Sequence, residues 1–274
     1  GIKENERAIK NFKGEMTKAI FGIHASFTLS NQTLRKCSEI GKGSGYHIHV
    51  AEDMEDVKRS IKNYGMRPVK RLKKYGILGN RTIAAHCIHV NDNDIAILSK
   101  TRTNVIHNPE SNMNNAVGSM PILKFIGTNA CTGLGTDGFT FDMFREMKFA
   151  YLLHKHVNRD PRVMDVKKCV EIGIKNNSEI ASKFFKRKIG KIEKGAYADL
   201  ILIDYQPRTP MTSENIYSHI IFGIDCRNVD TTIINGKILM ENKKMNIGKE
   251  ELYAKARECA RKLWGRLDEE KPKY

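Results

Sequence analysis

Gly45-Tyr46-His47-Ile48-His49-Val50-Ala51-Glu52-Asp53 is the stretch on which the fold turns, because it closes an apolar segment with imidazoles and carboxylates at short spacing. In a strand, alternate residues share a face, so His47 and His49 point one way, and Glu52 lies three residues beyond His49. One imidazole can hold a metal there while the carboxylate reaches a water beside it. A strand that ends in reactive side chains is what a (β/α) barrel presents at the carboxyl edge of its sheet.

The same pattern repeats on both sides of this stretch. Apolar runs at 18–24, 81–86, 104–107 and 131–137 read as strands. Helical periods separate them: from a cap at Ser30 to about Gly41, 53–64 with Met54, Val57 and Ile61 in phase, 69–75, 91–100 and 120–126. Repeated βα units imply a parallel sheet with helices outside, joined right-handedly. The strands end in turn at His24, at His49 with Glu52, at His86, at His107 and at Asp137. A single histidine at a strand end is usually a hydrogen-bonded structural residue. Five consecutive strands ending in chemistry are hard to assign to packing.

Residues 1–17 read as a helix entering from something upstream, and 142–158 and 162–176 as long helices. A Gly-rich turn at 189–195 precedes a strand at 198–204, and Asn235-Gly236 joins 229–234 to 237–240 as a hairpin. An amphipathic helix covers 249–268. The expected organisation is a partial (β/α) barrel over 1–188, a small β-rich side domain over 189–245 and a C-terminal helix within 246–274.

Composition narrows the function classes. Hydrophobic content is 40%, no apolar run approaches the ~18 residues that span a bilayer, and the start carries no signal-peptide core. A cytoplasmic protein without membrane partners is expected, and the missing initiator Met implies a processed or incomplete chain. The net charge of +16 is dispersed in short groups such as Lys70-Arg71 with Lys73-Lys74, without a basic stripe or interleaved aromatics. It reads as a solvated surface, not a nucleic-acid site. Cys37, Cys87, Cys131, Cys169, Cys226 and Cys259 form no C-x-x-C pair and read as buried free thiols.

The motifs His24-Ala25-Ser26-Phe27-Thr28-Leu29-Ser30, His47-Ile48-His49-Val50-Ala51-Glu52, Ala85-His86-Cys87, His107-Asn108-Pro109-Glu110-Ser111-Asn112-Met113, Gly135-Thr136-Asp137-Gly138 and Gly195-Ala196-Tyr197-Ala198-Asp199-Leu200 stand in one order along the chain. Together they resemble the amidohydrolase superfamily, in its mononuclear-metal aminohydrolase branch with guanine, cytosine and S-adenosylhomocysteine deaminases and the triazine hydrolases. The resemblance implies a (β/α)8 TIM-barrel fold with part of a small β-sandwich domain. It implies hydrolysis of a C–N bond in a purine-like or related heterocycle by metal-activated water, with one divalent metal, zinc first and iron second. His49 and Asp137 match metal ligands, and Glu52 matches the proton shuttle. His86 matches the imidazole that steadies the attacking water, and Asp137 also accepts a proton. His24, His107 and Asn112 match substrate contacts. His47 reads as a buttress and His89 as structural. His107, Asn108, Ser111 and Asn112 read equally as a loop tied by side-chain hydrogen bonds. Asp142, His154 and His156 read as structural. A small-molecule substrate is the expected partner, and a homo-oligomer is compatible with the sequence.

One departure stands out. The resemblance calls for a His-x-His at the end of a first strand, supplying two further ligands. Here only His47-Ile48-His49 and the helical His154-Lys155-His156 have that spacing. The expectation is a barrel lacking its first three strands, binding metal weakly and inactive alone, with exposed sheet edges. The alternative is a shortened, non-catalytic relative acting as a binding or assembly subunit.

Overall fold

The computed structural model describes residues 1–245 and 247–269. Helix α1 (Ile2–Asn11) leads to strand β1 (Phe21–Ala25), then α2 (Asn31–Ile40), β2 (Tyr46–Val50), α3 (Met54–Tyr64), α4 (Pro68–Lys74) and β3 (Ile83–His86). After these come α5 (Asp92–Lys100), β4 (Asn104–His107), α6 (Pro109–Asn114), α7 (Ile122–Phe125) and β5 (Thr132–Leu134). The five strands pair in sequence order and every pair is parallel. Sequential parallel strands with helical crossovers are the barrel arrangement; here five staves make an open arc.

The helices begin where the sequence offers oxygen acceptors. Ser30 Oγ accepts from Thr33 N at 3.0 Å, Asp53 Oδ1 accepts from Glu55 N at 2.7 Å, and Asn91 with Asp94 forms a capping box. α3 stops at Gly65, whose φ of 66° is the left-handed conformation that needs no Cβ. Between sheet and helices lies the core, with Leu34, Ile48, Val50, Leu72, Ile77, Leu98, Val105, Ile122 and Phe125 all buried. The helical period of α3 is present, but Val57 alone of its expected apolar face is buried; Met54 and Ile61 are exposed while Asp56 and Ser60 turn inward.

Beyond β5, helix α8 (Met143–Asn158) is followed by α9 (Val166–Val170), a π-helical turn (Glu171–Asn176) and α10 (Asn177–Ser182). The sequence placed a helix end at 176; the wide turn carries the helix on to 182 instead.

That turn changes the outer edge of the sheet. Asn177 accepts from Leu134 N at 3.1 Å and donates to Leu134 O at 2.9 Å, and Asn176 Nδ2 donates to Thr132 O at 2.8 Å. At the opposite edge Asn5 accepts from Gly22 N at 2.7 Å and donates to Gly22 O at 3.0 Å. A carboxamide has the donor and acceptor of a peptide group, so each asparagine stands in for one residue of a neighbouring strand. The edges expected to be bare are therefore bonded at these positions. The inner face is more open: His47 lines a cavity of about 440 Å³ with Ile83, Ile106 and Leu134.

A second, antiparallel sheet has the order β6 (Leu200–Ile203), β7 (Val229–Ile234), β8 (Lys237–Glu241), β9 (Lys244–Met245). Asn235 and Gly236 both have positive φ, as the two-residue hairpin turn demands. Helix α11 (Ile216–Gly223), not foreseen from the sequence, packs on α8 and α9. Helix α12 (Lys249–Glu269) buries no residue. Of the C-terminal unit expected over 246–274, residues 246 and 270–274 lie outside the described residues. No described helix is long and apolar enough to cross a membrane.

Two readings need correction. Cys226 and Cys259 are exposed, because they sit on a surface turn and on α12, and Cys131 is only half-buried just before β5; Cys37, Cys87 and Cys169 are buried as expected. Arg71, read as part of a solvated basic group, is fully buried because backbone carbonyls and a side-chain amide accept its protons.

Candidate active site

The carboxyl ends of β1 to β5 bring the reactive residues together. β2 and β3 are in register with His49 opposite Ala85 and Val50 opposite His86, so the two imidazoles lie on adjacent staves one step apart. His49 Nδ1 is 3.1 Å from His86 Nε2. The same His86 nitrogen is 3.5 Å from Glu52 Oε2 and 3.7 Å from Asp137 Oδ2. Ligand atoms of His49, Glu52 and His86 all lie within 4.8 Å of one another.

The backbone is bent to achieve this. Ala51, His86, Cys87 and Asp137 have φ of 48°, 71°, 49° and 52°, a region that costs a side-chain-bearing residue about 1–3 kcal/mol. Three strands thus end in left-handed turns at the site. Asp56 holds the first of them, accepting from Ala51 N at 2.7 Å; burial pushes its own carboxyl up to about 6.

Electrostatics divides the groups. Burial, followed by repulsion from His86, lowers the pKa of His49, which keeps it neutral and able to ligate. His47 is lowered for the same two reasons. Burial would raise Asp137, but hydrogen bonds from Ser111 Oγ and Gly138 N, both at 2.7 Å, and the two imidazoles outweigh it and hold the carboxyl below its ordinary value. Two imidazoles with two carboxylates, one of them firmly anionic, make a nitrogen and oxygen donor set that fits a borderline divalent ion such as zinc or iron.

Around this centre, His24 Nδ1 is 3.0 Å from Thr28 Oγ1 and its ring centroid is 5.7 Å from that of His49. His24, Phe27, His49 and Glu52 line one cavity of about 320 Å³. Asn112 is buried behind His86, with Oδ1 2.9 Å from His86 Nδ1. His107 is buried deeper, between Asn112 and His154. His49, Glu52, His86 and Asp137 thus form one cluster with His24 beside it, of which His24, His49 and Glu52 face the cavity, while His107 and Asn112 stand behind His86. His89 is tied to Val117 O at 2.9 Å, Asp142 caps α8, and His156 is exposed.

Sequence reasoning missed two supports. Arg71 donates to Ser26 O, Ser26 Oγ (3.1 Å), Leu29 O (2.6 Å) and Asn31 Oδ1 (3.0 Å), and its guanidinium lies 3.5 Å from the centroid of the Tyr64 ring. It pins the loop that carries Phe27. Glu146, buried on α8, accepts from Glu110 N at 3.3 Å and so anchors α6, the helix bearing Ser111 and Asn112. A lone arginine among lysines and a glutamate inside a helix give no signal of burial.

The sequence pattern of the Amidohydrolase family matches residues 1–239, and the chain belongs to that family. It is 34% identical over 255 residues to the 5-methylthioadenosine/S-adenosylhomocysteine deaminase of Pelotomaculum thermopropionicum, covering 90% of this chain and 58% of that protein. To the 5'-deoxyadenosine deaminase of Methanobrevibacter smithii it is 35% identical over 277 residues, covering 96% and 62%. The chain thus spans about three-fifths of the length of these relatives. Among solved structures, an adenosine deaminase from Xanthomonas campestris with bound zinc superposes with a TM-score of 0.85 at 24% identity, over 96% of this chain and 61% of that one. Atrazine chlorohydrolase TrzN from Arthrobacter aurescens gives 0.78 at 18%, over 93% and 58%. At these identities the likeness is one of fold.

Proposed function

We propose that the chain carries the proton-handling residues and part of the metal site of a hydrolytic deaminase that removes the amine of an adenosine-like nucleoside. The observation that carries this reading is the convergence of His49, Glu52 and Asp137 on the Nε2 edge of His86. The names of the relatives, deaminases of methylthioadenosine, S-adenosylhomocysteine and 5'-deoxyadenosine, support the substrate class.

His49 and Asp137 would hold the divalent ion, zinc with iron as the alternative. Such an ion lowers the pKa of a water toward neutrality. Glu52, partly exposed to the cavity, takes one proton from the attacking water and passes it to the ring nitrogen, then delivers the second water proton, released by Asp137, to the departing amine. Addition of the water oxygen to the amine-bearing carbon and loss of ammonia leave a ring carbonyl. His86 steadies the oxygen as charge develops, and Asp137, held anionic by Ser111 and Gly138, accepts the second water proton. His24 orients the heterocycle from the rim, while Asn112 and His107 bear on substrate through His86. The barrel residues are assigned to 1–188 and the side domain to 189–245.

The test is the reading frame expressed with whatever coding sequence precedes Gly1, assayed for bound metal and for ammonia released from 5'-deoxyadenosine and methylthioadenosine. Stoichiometric zinc or iron with ammonia release is expected. Bound metal without ammonia from any adenosine-like nucleoside would sink the proposal. It would favour the second reading, a binding or assembly subunit, which the asparagine bonds at the outer edges of β1 and β5 support.

A further inference from the structure

The loop that leaves β6 and the helix α11 border a cavity of about 650 Å³, larger than those beside His24 and His47 and of a size that holds small molecules. It shares no lining residue with the candidate active site. Asp204 N donates to Asn228 O at 2.7 Å and Asn228 Nδ2 to Asp204 O at 2.9 Å, which ties the exit of β6 to the entry of β7. Asn215 Oδ1 accepts from Thr212 N at 2.8 Å and its Nδ2 donates to Pro210 O at 2.9 Å, folding the loop into the start of α11. A Cβ on Gly223 would stand 2.3 Å from the Tyr205 hydroxyl, so a glycine there is what lets the ring close on the helix. Tyr205 Oη in turn lies 2.9 Å from His219 Nδ1.

The polar groups left over in this cavity define what it can hold. His219 is 8% exposed and lines the cavity, yet among the described residues nothing bonds its Nε2. A ring that accepts the Tyr205 hydroxyl proton at Nδ1 carries its own proton on Nε2, which is then a donor without a partner. Arg208 lines the same cavity and forms no ion pair among the described residues, nor do the side-chain hydroxyls of Thr209 and Ser218 have partners there. No described acid lines the cavity to neutralise the guanidinium. Phe222 adds an apolar wall: it stands perpendicular to Tyr151, with ring centroids 5.3 Å apart, and is still 54% exposed. An unopposed guanidinium with an imidazole N–H and two hydroxyls suits an oxyanion, since the planar fork matches paired carboxylate or phosphate oxygens. An open aromatic wall suits a flat ring.

We propose that this cavity is a second ligand site, which binds a small organic oxyanion, a carboxylate or phosphomonoester carried on an aromatic ring. Arg208 and the His219 N–H take the anion, and Phe222 takes the ring. Tyr205 is a positioning residue: its hydroxyl fixes which nitrogen of His219 carries the proton. The site stands apart from the deaminase centre and does not rest on that reading.

The experiment is isothermal titration calorimetry of the full chain with phenyl phosphate, benzoate, inorganic phosphate and phenol. At least one of the two aromatic anions is expected to bind with a Kd below about 1 mM, and the tighter of them names the anion. Phenol and inorganic phosphate, each lacking one half of the ligand, are expected to bind at least about tenfold more weakly. Arg208→Gln, at an exposed position, should weaken the aromatic anion by at least about tenfold. His219→Leu should do the same, while His219→Gln, whose amide still donates, should retain part of the affinity. Tyr205→Phe should reduce affinity and alter the His219 ring nitrogen signals in a histidine-labelled sample, a change that a merely packing tyrosine would not produce. Lack of saturable binding by both aromatic anions, inorganic phosphate binding as tightly as phenyl phosphate, or unchanged affinity in folded Arg208→Gln overturns the proposal. The last result decides it even if the His219 variants fail to fold. Neither metal nor ammonia is read, so failure here and failure of the deaminase reading are told apart.

Discussion

Replacing Arg71 by Met keeps most of the side-chain volume while deleting a guanidinium that is completely buried. Its hydrogen bonds to Ser26, Leu29 and Asn31 hold the loop after β1, and Ser26 is itself buried. Leu29 O keeps a second donor in Tyr64 Oη at 3.2 Å, and Asn31 is near enough to the surface to find water. The uncompensated loss falls on about two acceptors, at roughly 1–3 kcal/mol each, for a total of about 2–6 kcal/mol. For a chain of this size that lowers the melting temperature by about 5–20 °C. Thermal unfolding followed by circular dichroism measures it, with Lys73→Met as the control, since Lys73 is exposed two residues away and should change stability by less than about 0.5 kcal/mol. Arg71→Lys should recover only part of the loss, because an ammonium cannot span the same acceptors. A melting temperature for Arg71→Met equal to that of the control would refute the view that this cation organises the loop.

Burial pushes Glu146 up from 4.5 to about 7, so the folded chain holds its proton where the unfolded chain has released it. Stability from this group is present below pH 4.5 and is lost as pH rises through about 7, by about 3 kcal/mol in all. Urea titrations should show that decline between about pH 4.5 and 7.5, and its persistence in Glu146→Gln would count against the assignment. On the proposed reaction, Glu52→Gln in the protein extended upstream of Gly1 should cut ammonia release by at least roughly a hundredfold while leaving bound metal unchanged, because it removes the proposed general base; a smaller loss in a steady-state assay would place the proton transfer elsewhere. Asn177→Leu strips the outer edge of β5 of a donor and an acceptor and should cost about 2–5 kcal/mol, visible as faster hydrogen exchange at the Leu134 amide. Unaltered exchange there would mean that water serves the edge equally well.

The parallel sheet and its five reactive strand ends were legible because apolar runs and terminal His or Asp residues are local patterns, as at 104–107 and 131–137. Helix α11 was not legible: Ile-Tyr-Ser-His-Ile-Ile-Phe-Gly is apolar on nearly every side, and such a run has no period to read. Helix α6 was missed for the opposite reason, since Pro-Glu-Ser-Asn-Met-Asn offers almost no apolar period and is held from outside by Glu146. At the candidate site, His49, Glu52, His86 and Asp137 were named in advance, whereas the depth of His107 was not. Its place between Asn112 and His154 depends on how α8 packs over β4, which no local spacing encodes. The roles of Asn5 and Asn177 were equally hidden, because a carboxamide that mimics a peptide group is recognised only once the edge it meets has a position in space.

Those two asparagines bear on how the protein keeps apart from copies of itself. Strand edges recruit other strands, and a molecule with open edges can polymerise into fibres. Asn5 and Asn177 block that route at Gly22 and Leu134 with side chains that cannot be extended into a further strand. Among the described residues the antiparallel sheet has no such block on β6, where Leu200-Ile201-Leu202-Ile203 forms an uncharged edge with Leu202 54% exposed. Concentrated solutions of the chain should therefore begin to aggregate from this edge, and a lysine at Leu202 is the substitution to make before crystallisation.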